Sequence, residues 1–254
     1  MLLSVISFNI RFGLADDGPN VWTFRKHAVA ELFQKYRPDF IGVQELNDFQ
    51  TDFLREMLPE YNYIGVREPA PDYWQNNVIF YRNSIDCLDA QHFFLSETPS
   101  VPSRSWGSKW PRQCTIGRFK LNSRELVCID THFDFEEPAQ YGSAQLIWQK
   151  IVAQFHDIPS ILMGDFNAKP DSKAYRWFTG QLEEGMDTLP DFKETFRSPY
   201  PASYHRFTGK PIVGLIDWIL YRGNFRLKEC FVIEDSFDGL YPSDHFPVMA
   251  HFEL

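Results

Sequence analysis

Residues 160–170 read SILMGDFNAKP. Ser160 to Met163 form a short apolar run of strand type. Gly164 interrupts it, Asp165 and Asn167 follow at once, and Pro170 closes the segment. Polar side chains set where an apolar strand runs out are how an α/β sheet presents chemistry to a crevice along its edge. The same placement recurs along the chain. Asn9 follows LLSVISF, Gln44 and Glu45 follow FIGV, and His132 follows LVCIDT. Asp217 interrupts LIDWIL, and Asp244 and His245 lie in YPSDH ahead of FPVMAHF. A single Asn or Asp after a strand is ordinarily a turn former, and a single His is ordinarily structural. Asp217 resists that explanation, because a carboxylate inside an apolar strand is costly unless donors or a cation compensate it. The joint occurrence of all these residues points to a site.

The elements around them read as α/β. Strands are expected over 2–10, 39–43, 77–81, 113–121, 125–131, 160–163, 216–221 and 247–252, each short, β-branched or aromatic, and bounded by turn residues. Val29, Leu32, Phe33 and Tyr36 recur at helical spacing, with Pro38 ending that helix. Ala144, Ile147, Trp148, Ile151 and Phe155 repeat the pattern, with Pro159 beyond, and Leu46, Phe53, Leu54, Met57 and Leu58 support a third, less regular helix. Long loops are expected over 11–22, 67–76, 100–112, 133–142 and 195–211, and loops of that length in a compact protein are usually functional. The expectation is an α/β protein with a mixed sheet system, one domain over 1–254.

Hydrophobic residues at 44% and charged residues at 23% are the balance of a globular chain, which excludes a disordered or fibrous one. Lys plus Arg total 25 against 34 Asp plus Glu, a formal charge of −9, which argues against broad nucleic-acid binding but leaves room for a local basic cleft. Cys87, Cys114, Cys128 and Cys230 show no CxxC or zinc spacing and read as free thiols, buried at Cys114 and Cys128. MLLSVISF lacks a basic n-region and is too short for a leader's apolar core, and no apolar run reaches membrane-spanning length. The expected protein is cytoplasmic and monomeric, with no membrane anchor.

Several carboxylates with neutral amides, two histidines and no thiol favour a hard divalent cation, Mg²⁺ or Mn²⁺, over zinc. A cation that neutralises a phosphate, an Asp that accepts a proton from water, and a His held by an Asp are the equipment for hydrolysing a phosphoester.

The ordered segments SFNIRFG, VQEL, NNVIFYR, THFDF, GDFNAKP, LIDWIL and SDHFPV, spanning residues 4–250, resemble the endonuclease/exonuclease/phosphatase superfamily. It includes deoxyribonucleases, abasic-site endonucleases, neutral sphingomyelinases, inositol-polyphosphate 5-phosphatases and mRNA deadenylases. GDFNAKP with SDHFPV is its most specific part. The resemblance implies a four-layer α/β sandwich, two mixed β-sheets face to face with helices outside. It implies Glu45 as principal metal ligand, with Asn9 beside it and Asp244 completing that site or a second one. It further implies Asp165 as the residue that orients or deprotonates water, with Asn167 holding water and phosphate. His245 would contact phosphate, oriented by Asp217. His132 would protonate the leaving oxygen or steady the pentacovalent phosphorus.

Arg112 resembles an arginine that enters the cleft before a core strand, suited to a bidentate phosphate contact. Arg11 departs from the pattern, standing where abasic-site enzymes carry an Asp, and would add positive charge for substrate. Trp106 and Trp110 lie in SRSWGSKWPR, a basic and aromatic wall where bases could stack. The expected partner is a phosphoester substrate, with two enzymes in contention: a phosphodiesterase or phosphatase of small esters, and a DNA or RNA nuclease. A lipid phosphodiesterase is disfavoured because the sequence has no apolar anchoring hairpin or basic amphipathic helix. A pseudoenzyme that binds without cleaving would be expected to have lost one or more of Asn9, Glu45, Asp165, Asn167, Asp217, Asp244 and His245, and all are present.

Overall fold

The computed structural model describes residues 2–67, 73–182 and 188–254. The elements run β1 (Leu2–Asn9), α1 (Trp22–Tyr36), β2 (Phe40–Leu46), α2 (Asp48–Met57), β3 (Tyr61–Ile64), β4 (Asn76–Arg82), β5 (Asp86–Phe94), β6 (Gln113–Leu121) and β7 (Arg124–His132). They continue with α3 (Glu137–Phe155), β8 (Ser160–Asp165), α4 (Lys173–Phe178), β9 (Lys193–Glu194), β10 (Asp217–Arg222), β11 (Arg226–Val232) and β12 (Val248–Glu253). Two six-stranded sheets result, ordered β11-β12-β1-β2-β4-β3 and β5-β6-β7-β8-β10-β9. Each is mixed, because β1 and β2 are parallel in the first and β7 and β8 in the second, while the remaining pairs are antiparallel.

Strand alternation divides the core. In β1, Leu3 and Val5 join the cluster shared with the second sheet, while Ile6 and Phe8 join Val29, Leu32 and Phe33 of α1 and Leu54 of α2 on the outer side. On the far side Ile147, Trp148 and Ile151 of α3 and Trp177 of α4 cover the second sheet. The order is helices, sheet, sheet, helices, the four-layer sandwich expected.

Because β1 and β2 run parallel and β7 and β8 do too, their C-terminal ends lie together at one edge of the sandwich. The starts of β4, β6 and β10, antiparallel to their neighbours, come to the same edge. Gly164 permits a close approach there, since a Cβ on it would stand 2.1 Å from the Thr131 carbonyl oxygen. Just beyond, His132 pairs with Asp165 in register.

Every expected strand recurs with ends within a residue, except that β2 runs on past Val43 to Leu46 and β8 past Met163 to Asp165. Leu46 belongs to β2, with α2 starting at Asp48, and α3 starts at Glu137, which cuts the expected loop 133–142 to four residues. Of the expected loop 67–76, residues 68–72 lie outside the described residues. The unexpected β3, β5 and β11 are outer strands, and exposed residues in β5 and β11 blur the apolar alternation that would announce them. All four cysteines are free, with Cys114 and Cys128 buried. Among the described residues, no helix is long and apolar enough to cross a membrane.

Candidate active site

Asp165, the last residue of β8, is the centre of the cluster. It is 1% exposed, and its Oδ1 accepts from the Asn167 backbone N–H at 2.9 Å. Its Oδ2 accepts from Asn9 Nδ2 at 2.9 Å, with His132 Nε2 at 3.4 Å and His245 Nε2 at 3.8 Å. Burial and the nearby Asp217 push the Asp165 carboxyl up to about 7, against the pull of His245 and the amide donors. Three backbones here adopt a left-handed φ outside glycine: Arg11 at 65°, Glu45 at 64° and Asn167 at 48°. Such strain persists only where surrounding contacts over-determine it, and it collects at functional sites.

The two histidines are poised differently. His245 Nδ1–H donates to Asp217 Oδ2 at 2.9 Å. Burial opposes its charge, but Asp217 and Asp165 outweigh burial and hold its pKa well above the usual histidine value. Arg112 Nη1 can only donate, so His132 Nδ1 accepts from it at 3.1 Å, while His132 Nε2 lies 3.1 Å from Asn167 Nδ2 and 3.4 Å from Asp165 Oδ2. Burial, Arg112 and His245 drive the His132 pKa well below the usual value. One imidazole is therefore a buried cation and the other is neutral.

Asn9 Nδ2 also donates to Glu45 Oε1 at 3.1 Å, and the Phe12 backbone N–H donates to Glu45 Oε2 at 2.7 Å. Glu45 and Asn9 are thus adjacent, as expected. Asp244 is linked to them indirectly: Ser243 Oγ, which bonds the Asn9 carbonyl at 2.7 Å, is 3.2 Å from Asp244 Oδ1. Arg11 Nε lies 3.8 Å from Asp244 Oδ2, but its guanidinium is held bidentately by Asp17 at 2.9 and 3.0 Å. The expected substrate cation at Arg11 is therefore matched by carboxylates already.

Glu45, Asp165 and Asp244 are carboxylates with no thiol among them, the chemistry a hard divalent cation takes. Each Glu45 oxygen takes one hydrogen bond and keeps a further lone pair, while Asn9 turns its Nδ2 to Glu45 and Asp165 and its Oδ1 accepts from the Arg11 N–H at 2.9 Å. Asp217 Oδ1 is buried without a partner. Among the described residues, Asp165, Asp217 and His245 bring ligand atoms within 4.8 Å of one another, but the hydrogen-bonded His245–Asp217 pair occupies that group itself. The donor chemistry at Glu45 suits a hard divalent cation.

Arg112 enters the cleft as expected, bonded to His132 and 3.9 Å from Asp134. The two tryptophans separate. Trp110 is 58% exposed, whereas the Trp106 ring packs on Gly142 of α3, where a Cβ would stand 2.3 Å from it. Trp106 thus pins its loop to the helix, and the structure does not gather it with the cluster.

Two supporting residues carried no sequence signal as functional ones. Asp134 is buried; its Oδ2 accepts from Ser108 Oγ and the Lys109 and Trp110 N–H groups, and its Oδ1 from the Phe135 and Glu136 N–H groups. It fixes the wall that bears Arg112 and Trp110. Arg25 of α1 is fully buried and donates to the carbonyls of Ile10, Arg11, Asn20 and Pro242, tying the segment after Asn9 to the one before Asp244. A charged residue on an amphipathic helix ordinarily reads as solvated.

Comparison with known proteins identifies the family and the fold. The chain is 27% identical to Nocturnin of Drosophila melanogaster over 92% of its own length, and spans 42% of that relative. It superposes on the mannosyl-6-phosphatase of Bacteroides thetaiotaomicron with a TM-score of 0.88 at 29% identity, covering 99% of this chain and 100% of that one. The sulfate-bound catalytic domain of human Nocturnin shares the fold, with a TM-score of 0.76 at 19% identity over 99% of this chain and 93% of that one. The model of the Endonuclease/Exonuclease/phosphatase family matches residues 6–105 and 124–245, most of the sequence. The chain belongs to that family.

Proposed function

We propose that the protein hydrolyses a small phosphoester, a sugar phosphomonoester in the first place, with Mg²⁺ or Mn²⁺ as cofactor. The observation that carries this reading is the convergence of Asn9, Asn167, His132 and the His245–Asp217 pair on one buried carboxylate, Asp165. Glu45 and Asn9, with Asp244 behind Arg11, would hold the cation, which when bound neutralises phosphate charge and lowers the barrier to attack.

The chain's own residues would do the rest. Asp165 accepts a proton from the water whose oxygen bonds to phosphorus, and a carboxyl raised to about 7 suits that task near neutral pH. The bond from phosphorus to the leaving oxygen then breaks. His245, kept charged by Asp217, is the available acid for that oxygen. Of the two expected roles of His132, its neutral imidazole between Arg112 and Asn167 supports steadying phosphorus. Arg112 and Asn167 complete the phosphate contacts.

The matching of Arg11 by Asp17, together with a net charge of −9, favours a small ester over a long nucleic acid. The likeness to a mannosyl-6-phosphatase supports a sugar monoester. The test is phosphate release from mannose 6-phosphate and 4-nitrophenyl phosphate with Mg²⁺ or Mn²⁺, run beside a phosphodiester, single-stranded DNA and RNA. Release from the monoesters, abolished by EDTA and by D165N, is expected. Cleavage confined to DNA or RNA would replace this reading with the nuclease. No hydrolysis of any substrate would overturn both.

A further inference from the structure

β2 carries one residue too many against β4. Val43 pairs with Val78 but Leu46 with Asn76, so the bulge falls at Gln44 and Glu45. Its effect on side chains is direct. Val43 and Leu46 both face the helices of the first sheet, Gln44 turns in between the two sheets, and Glu45, at φ 64°, turns to the crevice. Ladder bonding to β4 lapses there, while on the other side Gln44 stays paired with β1, its carbonyl accepting from the Ile10 N–H at 3.2 Å.

Both strands flanking the bulge are gripped by one carboxyl from the opposite sheet. Gln44 Nε2 of β2 donates to Asp130 Oδ1 at 2.5 Å, and Asn77 Nδ2 of β4 donates to Asp130 Oδ2 at 3.3 Å. Gly42 makes the approach feasible, since a Cβ there would stand 2.5 Å from Asp130 Oδ1. Asp130 belongs to β7 and precedes His132 by two residues, hence on the same face of the strand.

This arrangement has no evident stability rationale. Asp130 is fully buried with amide donors and, among the described residues, no cation in contact, and Gln44 Oε1 is buried without a partner. Replacing both partners of such a contact by apolar side chains is often neutral or stabilising, whereas removing one strands the other's buried polar atoms. Burial pushes the Asp130 carboxyl well above its usual range, consistent with a neutral acid.

We infer that Asp130 is a positioning residue, which sets the bulge that presents Glu45 and keeps it in register with His132. The functional consequence rests on the proposed role of Glu45 as metal ligand; the mechanical one does not.

The test uses D130L, D130N and Q44M in the full chain. For D130L, which leaves the Gln44 and Asn77 amides without their acceptor, we expect a lower melting temperature, a kcat on the sugar monoester reduced about tenfold or more, and KM within about twofold. The midpoint of Mn²⁺-induced thermal stabilisation, measured without substrate, should rise about tenfold in D130L. D130N, which keeps a polar group for Gln44, should stay within about threefold of wild type. Q44M should match D130L, and the double variant should be no worse than either single one. A D130L protein that melts lower but keeps wild-type kcat and Mn²⁺ midpoint would overturn the inference, as would D130N damaged as badly as D130L. If D130L does not fold, Q44M is judged by the same criteria. If wild type neither binds Mn²⁺ nor hydrolyses any ester, the functional reading fails on its own. Amide exchange at Phe12, whose N–H bonds Glu45, then decides: faster in the variant upholds the positioning role, unchanged refutes it.

Discussion

Asp130 and Asp165 lie on neighbouring parallel strands, both buried, both with carboxyls raised by desolvation first of all. What differs is their company. Asp130 meets two side-chain amides inside the sandwich. Asp165 meets amide donors and two imidazoles at its edge. Asp130 is directly across from Met163, and two residues along the pair the register reaches His132 and Asp165. That step is about 7 Å. It separates a carboxyl that holds structure from one placed to exchange protons, so depth in the sandwich, not residue type, sets the role.

The strongest way to break that contrast is to replace each carboxyl by an amide. D165N should lower kcat about 10²-fold or more with folding intact, as loss of a proton acceptor does, while D130N stays close to wild type. Equal losses in the two variants, by steady-state kinetics on a sugar monoester, would erase the distinction. D217N probes the company of Asp165 rather than Asp165 itself. It leaves the His245 imidazole without its counter-charge, and kcat should drop by about 10-fold to 100-fold. The neutral His245 expected in that variant should be visible as an upfield shift of its ring carbon protons by NMR.

D134A acts farther out. Without its acceptors for Ser108, Lys109 and Trp110, the wall loosens, and KM should rise by a few fold more than kcat falls.

The smallest effect concerns pH. Asp130 is protonated when folded at a pH where the unfolded chain has released that proton, so its contribution to stability diminishes as pH rises above the unfolded value. D130N should therefore flatten the decline in stability as pH rises above the ordinary carboxylate range, by up to about 1.4 kcal/mol per pH unit. Denaturant titrations across that window giving parallel wild-type and variant curves would show Asp130 ionised in the folded state.

Much of the site was legible because its residues interrupt patterns. Asn9, Glu45, His132, Asp165 and Asn167 each end or follow an apolar run, and Asp217 begins a strand whose other residues are largely buried. Strand polarity then sends all of these to one edge. Asp130 was not legible in that way, since LVCIDTH reads as a strand on its way to His132 and the polar member within it has partners far away in sequence. Arg25 was hidden by helix periodicity. Trp106 and Trp110, four residues apart in one loop, read alike until their surroundings separated them.

By itself, then, the sequence determined the alternation of strands and helices and the identities that end the apolar runs, because burial periodicity and strand termini are local properties of the chain; the four layers were implied by the family resemblance. Tertiary structure alone decided which imidazole is charged, that Arg11 is spent on Asp17, and that Asp130 spans the sheets beneath Glu45. Those outcomes depend on distances of a few ångströms between residues far apart in the chain, where desolvation and a single hydrogen bond outweigh any intrinsic preference of the residue type.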